Sequence, residues 1–156
     1  MRVWRLCQER HAADAFSGEG ARRFGGRWNS PGVPMVYSST SLALAAMELF
    51  VHLEPNQQPN DLVAIAATLP EGEPAARLEP DELPDNWWTD DFEPLRVIGD
   101  KWIRARRSLG LMVPSAALRV EWNVLVNPLH PALAKIRIEE PQPFHFDARM
   151  FRHAAT

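Results

Sequence analysis

Charged and apolar residues alternate over 2–7, RVWRLC, the period-two pattern of a first strand. VPMVYS at 33–38 predicts a second strand, opened by the turn residues Asn29-Ser30-Pro31-Gly32. Between the two, residues 8–26 carry Gly18, Gly20, Gly25 and Gly26 and read as a loop with more than one sharp bend. Ser39, Thr40 and Ser41 offer N-caps for LALAAMELFVHL, 42–53, the clearest helix in the chain. LVAIAATL at 62–69 is continuously apolar and predicts a strand covered on both faces.

The material then changes. Seven of the fourteen prolines fall between Pro55 and Pro94, and residues 70–93 mix them with acids. That composition predicts an irregular, solvated excursion, anchored to the body by Trp87 and Trp88. LRVIGDKWIRARRS, 95–108, reads as a helix ending in basic residues near Gly110, a favourable end for the helix dipole. LMVPS, running to Ser115, is a short strand, and WNVLVNP, 122–128, is a buried one. KIRIEE and PFHFDA read as edge strands. Strands and helices do not alternate regularly, so the expectation is one α+β domain over 1–156, built on a mixed or antiparallel sheet.

Composition narrows the class. With 156 residues, 46% hydrophobic and 24% charged, the chain suits one folded domain rather than a disordered segment. No run of 18 apolar residues is present and the N-terminus has no leader-like apolar core, so neither a membrane span nor a signal peptide is expected. The one cysteine, Cys7, offers no internal disulfide and no cysteine zinc site, which fits a reducing cytoplasm. A net charge of −3 argues against a direct nucleic-acid partner. The charge is unevenly placed: residues 1–30 hold six Arg against three acids, residues 71–100 ten acids against two Arg. Arginine outnumbers lysine fifteen to two, and arginine suits forked contacts to phosphate or carboxylate.

Several residues could carry chemistry. Glu48 stands inside LALAAMELFVHL, where Leu44, Ala45, Leu49, Val51 and Leu53 cover most directions around a helix. A carboxylate there must be paired, protonated or facing a polar cleft. Gly25-Gly26-Arg27-Trp28-Asn29 combines glycines that permit close approach with a cation, an indole and an amide, a set able to hold a phosphate and stack a flat ring. Tyr37, the only tyrosine, is either a core aromatic or a ring on the same cleft. Arg5 points opposite Trp4 and Leu6, toward solvent or a ligand. Ser115 follows Pro114 without a Gly-x-Ser-x-Gly elbow, so positioning is its expected role rather than acyl attack. The histidines are dispersed, His52 lies four residues from Glu48 without an HExxH pattern, and no metal site is expected.

GGRWNSPGVPMVYSSTSLALAAMELFVHL, IGDKWIR, VPSAAL and EWNVLVNPLHP, in this order, resemble the RES-domain family over about residues 3–147. The resemblance implies an ADP-ribosyltransferase-like mixed sheet with flanking helices. It implies the toxin half of a bacterial toxin–antitoxin pair, restrained by an Xre-type helix-turn-helix antitoxin that inserts a segment into the cleft, and a toxin homodimer within the complex. It implies NAD+ as substrate rather than prosthetic group, with cleavage of the nicotinamide–ribose bond by water or phosphate, or transfer of ADP-ribose to a protein. By motif, the site would hold Arg27, Tyr37, Glu48 and Ser115, with Arg5, Gly26, Trp28 and Asn29 on the dinucleotide.

The residues suit that chemistry. Nicotinamide leaves as a neutral base, so no acid need protonate it, and one ionised carboxylate can steady the ribose as it turns cationic. A different class remains open: an interaction module without activity, docking through Trp87-Trp88 and the acidic stretch. An enzyme acting on another nucleoside diphosphate is the third.

Overall fold

β1 (Arg2–Gln8) and β3 (Leu62–Thr68) pair antiparallel along their whole length, from Arg2 opposite Thr68 to Gln8 opposite Leu62. They belong to a computed structural model that describes residues 1–54 and 59–151. β2 (Val36–Ser39), β4 (Ala76–Arg77), β5 (Gly110–Pro114), β6 (Trp122–Val126), β7 (Arg137–Ile138) and β8 (Gln142–Phe144) complete an eight-stranded sheet. Its order is β4-β5-β6-β2-β1-β3-β7, with β8 also on β3. Among the described residues only the β4–β5 pairing is parallel, so the sheet is mixed and the class is α+β.

The apolar runs are explained by two cores, one on each face of the sheet. Along β6, Val124 and Val126 join Val3, Val36 and Ile65, whereas Leu125 between them joins Met35, Leu111 and Val113. A strand with both faces covered has no polar alternation to show. The second core is closed by α3 (Glu93–Ala105), which contributes Leu95 and Ile103.

Helix α2 (Leu42–Phe50) begins where Ser41 Oγ accepts from Leu44 N–H at 3.1 Å and lies on β1 and β2. It ends at Phe50, not Leu53, and only Leu44 and Ala45 of it are buried. The apolar sequence therefore overstated its burial. Part of its surface borders a cleft, and its end is covered by Phe146, 5.7 Å from Phe50, and Phe151, 5.5 Å away.

Two segments differ from the loops expected of them. Residues 8–26 contain α1 (Glu19–Phe24), hidden by its glycines and supported by Glu19 pairing with Arg22 and Arg23. The acidic excursion 70–93 supplies β4 and buries Leu83 and Trp87 in the second core. Trp88 meets Trp87 edge-on at 5.9 Å and carries the Arg119 guanidinium 3.9 Å above its ring. The two tryptophans thus fasten this stretch as expected, and more of it is ordered than its composition suggested. The expected edge strands shrink to two and three residues, with Pro141 between them, and both pair with β3. No described helix is long and apolar enough to cross a membrane.

Candidate active site

A cleft of about 480 Å³ opens between α2, the strands β1, β2 and β6, and the segment 24–28. That is the size of an ordinary small-ligand site. Glu48 is the only carboxylate among its described lining residues, and Arg5 and Arg27 are its only guanidinium groups.

Glu48 is half-buried, in the last turn of α2. Ser115 Oγ–H donates to its Oε1 at 2.6 Å, and Asn123 Nδ2–H donates to the same oxygen at 2.5 Å. Among the described residues no hydrogen bond reaches Oε2, and no ion pair involves Glu48. The internal arginine partner considered from sequence is therefore absent there. Neutral donors hold the carboxylate in place without cancelling its charge.

The two cations have no carboxylate partners among the described ion pairs. Arg5 does not face open solvent: it is half-buried, its Nη1 donates to the Tyr37 carbonyl at 2.8 Å, and its buried Nε has no partner among the described residues. Desolvation lowers its pKa. Arg27 Nη1 donates to the carbonyls of Thr89 at 2.7 Å and Trp87 at 3.2 Å, and its guanidinium lies 4.5 Å over the Phe92 ring. Burial lowers its pKa too, opposed by the charges of Asp90 and Glu48. A cleft with two such cations and one acid attracts an anion that also carries a positive centre.

Tyr37 supplies its ring to the cleft, because its hydroxyl is occupied: it donates to Asn29 Oδ1 at 2.7 Å and accepts from Trp28 N–H at 2.9 Å. Burial pushes its pKa well above the usual phenol range, so the proton stays on. Gly26 has no room for a side chain, since a Cβ would lie 2.5 Å from that hydroxyl.

The structure brings Arg5, Gly26, Arg27, Tyr37 and Glu48 together on one cleft and sets the other named residues behind it. Ser115 is 0% exposed and reaches the cleft only through Glu48. Asn29, also 0% exposed, donates to the carbonyls of Ala21 and Val33, each at 2.8 Å, and steadies Tyr37. Trp28 touches the cleft wall but is 3% exposed and packs in the second core, so its ring is not free to stack on a ligand.

Other contributors went unnoticed in the sequence. Asn123 and Phe92 line the cleft. α3 braces the Gly-Arg-Trp segment: Arg96 Nε donates to the Gly26 carbonyl at 2.8 Å, and Asp100 Oδ1 accepts from Ser30 N–H at 3.0 Å. The helix that carries Arg96 and the motif IGDKWIR is thus a scaffold for GGRWNS, a relation that needs the tertiary fold to be seen.

Fold and cleft together define an α+β protein in which, among the described lining residues, one carboxylate is set against two guanidiniums that have no carboxylate partner. The chain belongs to the RES domain family, which matches residues 2–147. It is 36% identical over 160 residues to the "Prs ADP-ribosylating toxin" of Sphingobium sp. (strain YBL2), covering 97% of each chain. It is 36% identical over 155 residues to "Toxin Res" of Pseudomonas putida, covering 97% of this chain and 100% of that one. Over 124 residues it is 31% identical to the "NAD(+) phosphorylase MbcT" of Mycobacterium tuberculosis, covering 66% of this chain and 62% of the relative. The fold is similar to that of a chain in the M. tuberculosis MbcT–MbcA toxin–antitoxin complex, with a TM-score of 0.68 at 19% identity over 92% of this chain and 84% of the other.

Proposed function

We propose that this chain is the enzyme half of a toxin–antitoxin pair and consumes NAD+ by breaking the bond between nicotinamide and ribose. The observation that carries the reading is the Glu48 carboxylate: both named donors meet on Oε1, and Oε2 is left to the cleft. As the neutral base departs, positive charge grows on the ribose ring. A fixed anion, held by neutral donors in a poorly screened cleft, stabilises that charge more than it stabilises the ground state. Arg5 and Arg27 are placed to take the diphosphate in forked hydrogen bonds. The Tyr37 ring offers an aromatic face to the pyridinium cation. Ser115 orients Glu48, and Asn29 and Trp28 hold Tyr37 from behind. The chemistry asks for no metal and no prosthetic group, because NAD+ is itself the substrate.

The relatives support the same assignment through the activities in their names, an ADP-ribosylating toxin and an NAD+ phosphorylase. Hydrolysis or phosphorolysis is the principal reading. Transfer of ADP-ribose to a protein at the same site is the second, favoured by the full-length relative of that name. The partner is an Xre-type helix-turn-helix antitoxin that inserts a segment into the cleft, consistent with a fold neighbour solved as a toxin–antitoxin complex. Residues 1–156 form one RES domain, which acts as a homodimer in the cytoplasm without touching nucleic acid directly.

Incubation of the purified protein with NAD+ releases nicotinamide, and Glu48→Gln lowers that release by roughly 10²–10³-fold while the fold is kept. Product analysis separates the acceptors: free ADP-ribose for water, a phosphorylated ADP-ribose for phosphate, labelled protein for transfer. Equal turnover by parent and variant would refute the assignment of Glu48. Tight NAD+ binding with no product of any kind would favour the interaction module.

A further inference from the structure

We propose that Asn123 is a positioning residue for the Glu48 carboxylate and that Ser39 sets the sense of its amide. This rests on the reading of Glu48 as the group that faces the ribose.

Asn123 stands near the start of β6, opposite Ser39 of β2 and Val113 of β5. The two ends of an amide have nearly the same shape, so only their partners decide which end points where. Here Ser39 Oγ–H donates to Asn123 Oδ1 at 2.6 Å. Nδ2 is thereby turned to Glu48 Oε1. A flipped amide would set its oxygen against the carboxylate oxygen and leave Nδ2 facing the hydroxyl. Only one sense of the amide lets Ser39 donate and Glu48 accept together.

The consequence reaches the cleft. Glu48 extends from α2 through rotatable bonds, and its head is fixed from two other elements: Asn123 on β6 and Ser115 just past β5. Asn123 and Glu48 both line the cleft, whereas Ser115 does not. With both donors on Oε1, the head group is held in one orientation and Oε2 keeps its lone pairs for substrate. A lysine or arginine in place of Asn123 would hold the carboxylate as firmly and neutralise the charge the reaction needs. An amide holds it without that loss.

The test compares Asn123→Ala, Asn123→Asp and Ser39→Ala in nicotinamide release, with kcat and KM separated and thermal melting as the folding control. Asn123→Ala lowers kcat by about 10- to 100-fold, the range for groups that orient a reacting side chain, and leaves KM nearly unchanged. Asn123→Asp, almost the same shape, is worse than Ala because it sets a second carboxylate against Glu48. Ser39→Ala moves kcat in the same direction by less. A space-filling role predicts the reverse order, with the isosteric Asp above Ala. That order, or a folded Asn123→Ala with parental kcat, overturns the inference. A parent that releases no nicotinamide defeats the functional reading instead. Positioning is then judged from the crystal structure of Asn123→Ala, where a Glu48 head group in its parental orientation overturns it and a displaced one upholds it.

Discussion

Gly99 of α3 lies so close to Trp28 that an added Cβ would sit 1.8 Å from the Trp28 carbonyl oxygen. The obstacle is backbone, so no side-chain rotation relieves it. Gly99→Ala must push α3 away from the Gly26–Ser30 segment, loosening the bond from Arg96 to the Gly26 carbonyl and that from Ser30 to Asp100. Forcing atoms into a filled site costs about 1–3 kcal/mol or more. For a chain of this length, melting should fall by roughly 2–4 °C for each kcal/mol. Turnover should fall beyond the loss of folded protein, because the same segment presents Arg27. Differential scanning calorimetry beside an NAD+ assay checks both, and a variant with parental melting would contradict the contact.

Gly26 and Tyr37 should be energetically coupled. A Cβ at Gly26 would meet the Tyr37 hydroxyl at 2.5 Å, the ring carbon bearing it at 2.9 Å and Asn29 Oδ1 at 3.0 Å. Gly26→Ala therefore disturbs the ring that faces the cleft. In the Tyr37→Phe background the closest of these obstacles is gone. The penalty for Gly26→Ala should be smaller there, with a coupling of about 0.5–3 kcal/mol, as for residues in contact. Melting temperatures of the four proteins in the cycle measure it; additive effects would show that the two sites do not touch.

What the sequence disclosed follows from which interactions are local. The β3 and β6 apolar runs, the Ser41 cap and the tryptophan anchors are local signals, and each element appears near its expected place. α1 was hidden because Gly18 and Gly20 flank a stabilising pairing of Glu19 with Arg22 and Arg23. The motifs led to residues that line one cleft, yet the division between those that face it and those that support it was not legible. Trp28 and Asn29 stand in the same motif as Arg27, but the turn directs their side chains inward, to the core and to Tyr37. Asn123 and Gly99 belong to the motifs as well. Their roles are contacts across 75 residues to Glu48, and between α3 and Trp28, which no local pattern carries.

Burial of Tyr37 makes a prediction about alkaline stability. The folded pKa is raised above the unfolded value near 10, chiefly by desolvation, so the phenol ionises earlier in the unfolded chain. The contribution is fully present below pH about 10 and is lost as pH rises beyond it, because ionisation then favours the unfolded state. Tyr37→Phe should flatten that part of the curve. At neutral pH it should cost about 1–3 kcal/mol, since Trp28 N–H and Asn29 Oδ1 each lose a partner. Melting of both proteins between neutral and strongly alkaline pH gives the difference curve, and parallel curves would show that the hydroxyl is not shielded as described.

Ser115 is hydrogen-bonded to Glu48 from behind the cleft, and on the proposed reading that restricts what its loss can do. Its hydroxyl is fully buried, donates to Glu48 Oε1 at 2.6 Å and accepts from Leu118 N–H at 2.9 Å. Ser115→Ala should lower kcat by about 10- to 100-fold and stability by about 1–3 kcal/mol, because a backbone donor loses its acceptor. No ADP-ribosyl group should be found on Ser115 by mass spectrometry of the quenched reaction, since the hydroxyl has no path to the ribose. The stronger check is non-additivity. In the Glu48→Gln background the carboxylate is gone, so Ser115→Ala should reduce the residual nicotinamide release no further. A further tenfold loss there would mean that the hydroxyl meets the substrate itself, and Ser115 would have to be moved from support to chemistry.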